Sequence, residues 1–165
     1  MTAAGILFAI IMCALSTMAQ ETDAVKHKLV GTWRLLSYVR EEVPSGKTTE
    51  VMGPHPSGYL IYTADGRMMA IFVQTDREKP AGAVPTAAES QLLQRGMVSY
   101  TGTYEVTGDT VVHHVDVSWN QIWTGTDQTR FYKFQGDRLS LATTKSIDPL
   151  EGKLSVRTLV WERVR

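Results

Sequence analysis

His113 and His114 stand side by side within SYTGTYEVTGDTVVHHVDVSWNQIWTGTDQTR, residues 99–130. The same stretch carries Tyr100, Tyr104, Trp119, Trp123 and Arg130. An imidazole moves protons near neutral pH. A guanidinium holds a carboxylate, enolate or phenolate through charge and paired hydrogen bonds. Neighbours on a strand point to opposite faces, so only one of the two histidines can share a face with Tyr104. His27 and His55 are remote and in loops, so no two histidines have metal-ligand spacing and no metal site is expected. A Gly-rich phosphate loop, a G-x-S-x-G elbow and a Cys–His pair are all missing from the chain. Asp65, Asp109 and Asp137 sit in turns, where local hydrogen bonding is their ordinary role.

Alternation explains how these residues are positioned. Val98, Tyr100, Gly102, Tyr104 and Val106 fall on one face of a strand, and Ser99, Thr101, Thr103 and Glu105 on the other. A second strand places Val111, His113, Val115, Val117 and Trp119 on its apolar face. If Gly108-Asp109 is a two-residue hairpin loop, Thr107 pairs with Thr110 and Tyr104 lies opposite His113. Gly102 then faces Val115 and leaves room inside. A third strand, about 126–135, is read with Gln128, Arg130, Tyr132 and Phe134 inward and Phe131 outward. A buried charge needs a partner. Arg130 therefore either posts a cation for a ligand, pairs with a carboxylate elsewhere, or turns outward in exchange for Phe131. Trp119 and Trp123 flank a turn at one barrel end, as a rim or a closure.

The chain has 165 residues, 17 Lys+Arg against 17 Asp+Glu, and 43% hydrophobic residues. That is one domain with an ordinary core. A formal charge of zero offers no footprint for nucleic acid or an anionic membrane. GILFAIIMCAL at residues 5–15 has the length of a signal-peptide core and is too short to span a bilayer. Cleavage after Ala19 is expected, giving a secreted or periplasmic protein with no stable membrane span. Cys13, the only cysteine, lies inside this segment, so the mature chain has no disulfide or thiol catalyst.

The remaining elements follow in order. Residues 20–28 form a polar, helical lead-in, and residues 29–165 the domain. LVGTWRLLSYV, 29–39, is a strand with Trp33, Leu35, Ser37 and Val39 on one side. Residues 40–57 form a long connection. GYLIYT and RMMAIFVQ flank an Asp-Gly hairpin turn. The second of these strands is apolar on both faces and needs an outer cover. Thr86 and Glu89 match a capping box for a short helix ended by Gly96, and Leu92 and Leu93 are expected to pack that helix on the sheet. RLSLAT is a strand with Leu139 and Leu141 inward, and 146–152 a loop. The last strand, 154–164, has two faces too alike to orient. The tally is eight antiparallel strands and one inserted helix, which suits an all-β, up-and-down barrel.

Seven ordered pieces carry a family resemblance: LVGTWRLLSY (29–38), GYLIYTADGRM (58–68), YTGTYEV (100–106), TVVHHV (110–115), WTGTDQTRFYKF (123–134), GDRLSLAT (136–143) and LVWERV (159–164). Together they resemble the lipocalin-like domain family of bacteria and fungi. The resemblance implies a calycin-type barrel and no particular reaction. It also implies a structural Trp33 plugging the barrel base beneath Arg163.

Three functions fit these residues. The leading one is binding of a small apolar or amphipathic molecule with a polar or anionic group, by Tyr62, Tyr100, Tyr104, His113, Trp119, Trp123, Arg130 and Tyr132. The second is a cofactor-independent cyclase or isomerase, with His113 as acid or base and Arg130 stabilising an enolate. The third is a packed barrel acting as a structural or interaction module. In the first two, His113 is a partner of Tyr104 or lines the lumen, and His114 is solvated.

Overall fold

The structure is a computed structural model that describes residues 20–148 and 152–165. The expected signal segment, 1–19, with Cys13, lies outside the described residues, as does part of the loop expected at 146–152. Helix α1 (residues 20–29) leads into β1 (Gly31–Glu42). Then come β2 (Thr48–Glu50), β3 (Ser57–Tyr62), β4 (Arg67–Val73), α2 (Ala87–Arg95), β5 (Met97–Thr107) and β6 (Thr110–Ser118). A 3-10 turn (Gln121–Trp123), β7 (Asp127–Gln135), β8 (Arg138–Thr143), β9 (Ser146–Ile147) and β10 (Leu154–Arg163) complete the described elements.

Neighbours in the sheet run β1-β3-β4-β5-β6-β7-β8-β10, and β10 pairs back onto β1. The result is a closed, eight-stranded antiparallel barrel. The short β2 and β9 extend β1 and β10 at one end. The connection expected at 40–57 is shorter than that, because β1 continues to Glu42 and β2 occupies part of it.

Period-2 burial runs through β3, β4 and β5. Leu60, Tyr62, Met68, Ala70, Phe72, Val98, Tyr100, Tyr104 and Val106 are all buried. Two bulges interrupt the pattern elsewhere. Between Leu35 and Ser37 the β1 register against β10 slips by one residue. Trp33 and Leu35 face inward as alternation predicts, but beyond the slip Tyr38 packs on the core in place of Ser37 and Val39. The second slip falls between Thr101 and Gly102, where β6 carries the extra residue. It turns Val117, expected inside, out to 62% exposure. A Cβ on Gly102 would lie 1.9 Å from the His114 carbonyl oxygen. Gly102 thus serves close backbone approach at the bulge, not free space in the lumen.

The cover expected over β4 is not formed. The capping box is there: Thr86 Oγ1 accepts from the Glu89 amide, and the Glu89 carboxylate accepts from the Thr86 amide at 2.7 Å. No residue of α2 is buried, however, and Leu92 is 68% exposed. Two adjacent leucines make no stripe along a helix. Polar bonds tie α2 to the preceding loop, from Arg77 to the Leu93 carbonyl and from the Ala81 amide to Glu89. Met69 and Ile71 therefore stay half-exposed on the outer wall.

The last strand acquires an orientation: Ser155, Leu159 and Trp161 are buried. Its final turnward residue closes the base. The Arg163 guanidinium carbon lies 4.1 Å from the Trp33 ring centroid. Arg163 also donates to the carbonyls of Val30, at 2.9 Å, and Lys28, and Trp33 Nε1 donates to the Leu29 carbonyl at 2.8 Å. The free carbonyls at the end of α1 are satisfied by these two side chains, and a cation at a helix C-terminus is favourable. Gly31, at φ +134°, would put a Cβ 2.6 Å from Arg163 Nη1, so a side chain there is strained and displaces the guanidinium. Arg163→Ala is expected to lower the unfolding free energy by about 2–4 kcal/mol in urea titrations, and Arg163→Lys to recover less than half.

Candidate functional site

The β5–β6 hairpin sets the first contacts. Thr107 pairs with Thr110, Tyr104 with His113, and Gly102 with Val115. On the other side of β6, Val111 pairs with Arg130 and His113 with Gln128. Arg130 and His113 thus enter the barrel from adjacent strands. His113 is fully buried and Arg130 is 8% exposed, while Phe131 faces outward at 42%.

His113 does not hydrogen-bond the residue opposite it. Its Nε2 lies 2.7 Å from the Tyr62 hydroxyl, and its Nδ1 lies 3.0 Å from the Tyr100 hydroxyl. The Tyr104 hydroxyl instead donates to the Thr63 carbonyl at 3.1 Å, although its ring stacks edge-on to Tyr62 at 4.7 Å. A hydroxyl at the end of a phenol reaches past its cross-strand neighbour, so strand pairing alone misassigns the partner. Tyr132 also leaves the centre: its hydroxyl donates to the Gly108 carbonyl at 2.7 Å, and its ring packs on Phe134. His114 is on the outer wall against Asp127, with Nδ1 2.7 Å from the carboxylate.

Arg130 donates to the Thr129 carbonyl at 2.9 Å and to Gln128 Oε1 at 3.2 Å. Gln128 in turn donates to Thr126 Oγ1, which donates to the Trp123 carbonyl. Among the described residues no carboxylate pairs with Arg130. Trp123 stacks edge-on to Tyr100 at 5.5 Å and to Trp119 at 5.0 Å. The structure therefore joins Tyr62, His113, Tyr100, Arg130, Trp123 and Trp119 in one chain of contacts, and sets Tyr104 and Tyr132 aside at the base.

Sequence reasoning missed one further set. Tyr38, Phe72 and Trp161 form an edge-to-face series at 5.7 and 5.8 Å. Trp161 is buried, and its Nε1 has no acceptor among the described residues. Asp148, 3% exposed, accepts from Arg40 at 3.0 Å and from Arg157 at 2.6 Å. The charges of Arg157 and Arg130 both act on the Tyr38 hydroxyl, though burial outweighs them and raises its pKa. The β1 bulge hid Tyr38 from alternation, and the even-handed composition of β10 hid Arg157 and Trp161.

Burial decides the protonation states. Desolvation, then the charge of Arg130, holds the His113 pKa well below the usual histidine value. Desolvation pushes Tyr62 well above the usual phenol value and raises Tyr100 despite the opposing charge of Arg130. The imidazole is neutral and both phenols are protonated. Among the described residues no group of three or more His, Cys, Asp or Glu is placed to hold a metal ion. No helix among them is long and apolar enough to cross a membrane.

A model of the lipocalin-like domain matches residues 30–164. No curated protein matches the sequence. Among solved structures, a lipocalin-like protein from Bacteroides uniformis is similar at 16% identity and a TM-score of 0.44, over 82% of this chain and 98% of that one. An uncharacterized protein from Bacteroides eggerthii is similar at 15% identity and a TM-score of 0.42, over 82% of this chain and 99% of that one.

A neutral buried His113 ties stability to pH. An unfolded histidine binds a proton below about pH 6.5 that the native state does not take, so stability falls as pH drops through that value, by up to about 1.4 kcal/mol per unit. Carboxylates held below their usual range, such as Glu89, lose their contribution only at more acidic pH. Between about pH 6.5 and 5 the urea midpoint of the wild type is expected to fall more steeply than that of His113→Gln, which keeps a donor and an acceptor without titrating.

Proposed function

The chain belongs to the lipocalin-like domain family, and from that premise we propose that it binds a small, mostly apolar molecule bearing an anionic group. The observation that supports this most is Arg130: a guanidinium almost wholly inside the barrel, bonded to a backbone carbonyl, an amide oxygen and the Tyr100 hydroxyl, with no carboxylate partner among the described residues. A buried charge without a counter-charge is unfavourable, and a ligand carboxylate, enolate or phenolate relieves it. Phe72, Tyr38, Trp161, Tyr100 and Trp123 supply the apolar wall. A few polar groups converging in an apolar interior are the usual make-up of a small-molecule site. An exported setting, expected from the apolar run at residues 5–15, belongs to the same reading.

Catalysis by His113 finds less support. Both ring nitrogens are engaged by tyrosines, so neither is free to take a proton from a substrate. The binding reading leaves His113 a structural part of the site.

Binding is measured with cis-parinaric acid, a fluorescent apolar carboxylate, and native mass spectrometry of protein from its natural host looks for a retained anion. Arg130→Met is expected to weaken the carboxylate by roughly ten- to hundred-fold. The same variant is expected to unfold at equal or higher urea, since a lone buried charge is removed. Undiminished affinity together with a large loss of stability would make Arg130 a structural residue and end this reading.

A further inference from the structure

The hydrogen-bond chain Tyr62–His113–Tyr100 has a direction, and the direction determines what the ligand head meets. A neutral imidazole has one N–H and one lone pair, so one of the two tyrosines donates to His113 and the other accepts from it. Tyr62 is 1% exposed, and among the described residues His113 is the sole hydrogen-bond partner of its hydroxyl. If Nε2 carried the proton, the Tyr62 hydrogen would be buried with no acceptor. If Nδ1 carries it, Tyr62 donates to Nε2 and is satisfied. The Tyr100 oxygen then accepts from Nδ1, and the Tyr100 hydrogen is left to point elsewhere.

Among the described residues that hydrogen has no acceptor. Arg130 offers donors only and gives one to the Tyr100 oxygen, and Gln128 Oε1 is already taken by Arg130. Tyr100 is 7% exposed and stacks on Trp123, whereas Tyr62 is sealed at the far side of the imidazole. The unused hydrogen therefore falls on the side where a ligand can supply an acceptor. Orphaning the sealed Tyr62 hydrogen costs more than leaving the Tyr100 hydrogen on the less enclosed side, and this difference favours the Nδ1–H tautomer.

We propose that Tyr62 locks His113 as the Nδ1–H tautomer, and that this lock makes Tyr100 a hydrogen-bond donor working beside Arg130 on one ligand oxyanion. This deepens the binding reading above and rests on it for the identity of the acceptor. The site so built presents a charged donor and a neutral donor and no acceptor. It takes a carboxylate, enolate or phenolate, and rejects an amine. Tyr62 acts as a positioning residue, since it touches His113 and not the ligand head.

Two measurements test the proposal. The first is ¹⁵N NMR of the imidazole in the ligand-free full chain. A protonated Nδ1 and an unprotonated Nε2 are expected. In Tyr62→Phe the bias is gone and the Nε2–H form becomes populated. A wild-type Nε2–H tautomer, an imidazolium, or an unchanged Nδ1–H signal in Tyr62→Phe overturns the lock. The second compares cis-parinaric acid with its methyl ester. Tyr100→Phe is expected to weaken the acid roughly ten-fold and the ester far less. Tyr62→Phe weakens the acid in the same direction and serves if Tyr100→Phe does not fold. Equal effects on acid and ester overturn the donor role of Tyr100. If the wild type binds neither probe, the binding reading fails, and the NMR result still decides the tautomer.

Discussion

The seam between β1 and β10 is the constraint on which everything else rests. Pairing the first long strand with the last closes the sheet and leaves no inner edge. Once it is closed, every second side chain must enter a shared interior, whatever its polarity. Leucines, valines and aromatics fill most of that interior favourably. His113, Arg130, Tyr62 and Tyr100 are carried in by the same alternation. Their polar atoms must then find partners in each other, because water is scarce there. The histidine held between two tyrosines is the consequence of closure acting on a fixed sequence.

The two ends of the lumen are used differently. At the base, Trp33, Arg163 and the end of α1 satisfy one another: ring against guanidinium, indole N–H and guanidinium against carbonyls. Above it, among the described residues, Arg130 has no carboxylate partner and the Trp161 N–H has no acceptor. Unfinished polar groups cost stability and are tolerated where binding completes them. This asymmetry, more than the barrel itself, separates the two ends.

Particular residues show how far alternation carries. In β5 it was sufficient, since one parity holds from Val98 to Val106 and all of that face is buried. In β7 it placed Arg130 inside and Phe131 outside, although hydrophobicity alone argues the reverse. It failed at Tyr38 and Val117, because a bulge adds one residue and reverses every face beyond it. It also failed at Asp148, which lies in a connection where no period applies. The α2 capping box was readable because it is local, whereas the packing of that helix was not, because that depends on what the sheet offers.

By itself the sequence determined the eight long strands, the hairpin register that sets Tyr104 opposite His113 and the capped helix, while the family resemblance of its ordered pieces implied the closed barrel. The strands, the register and the helix follow from neighbours within a few residues or from a repeating period. The tertiary structure decided which hydroxyls meet the imidazole, that no described carboxylate pairs with Arg130, and that Tyr38 and Trp161 meet across Phe72. Those facts depend on side chains meeting across the lumen from strands far apart in the chain. Alternation says which side chains enter that space, and only the closed barrel sets the distances between them.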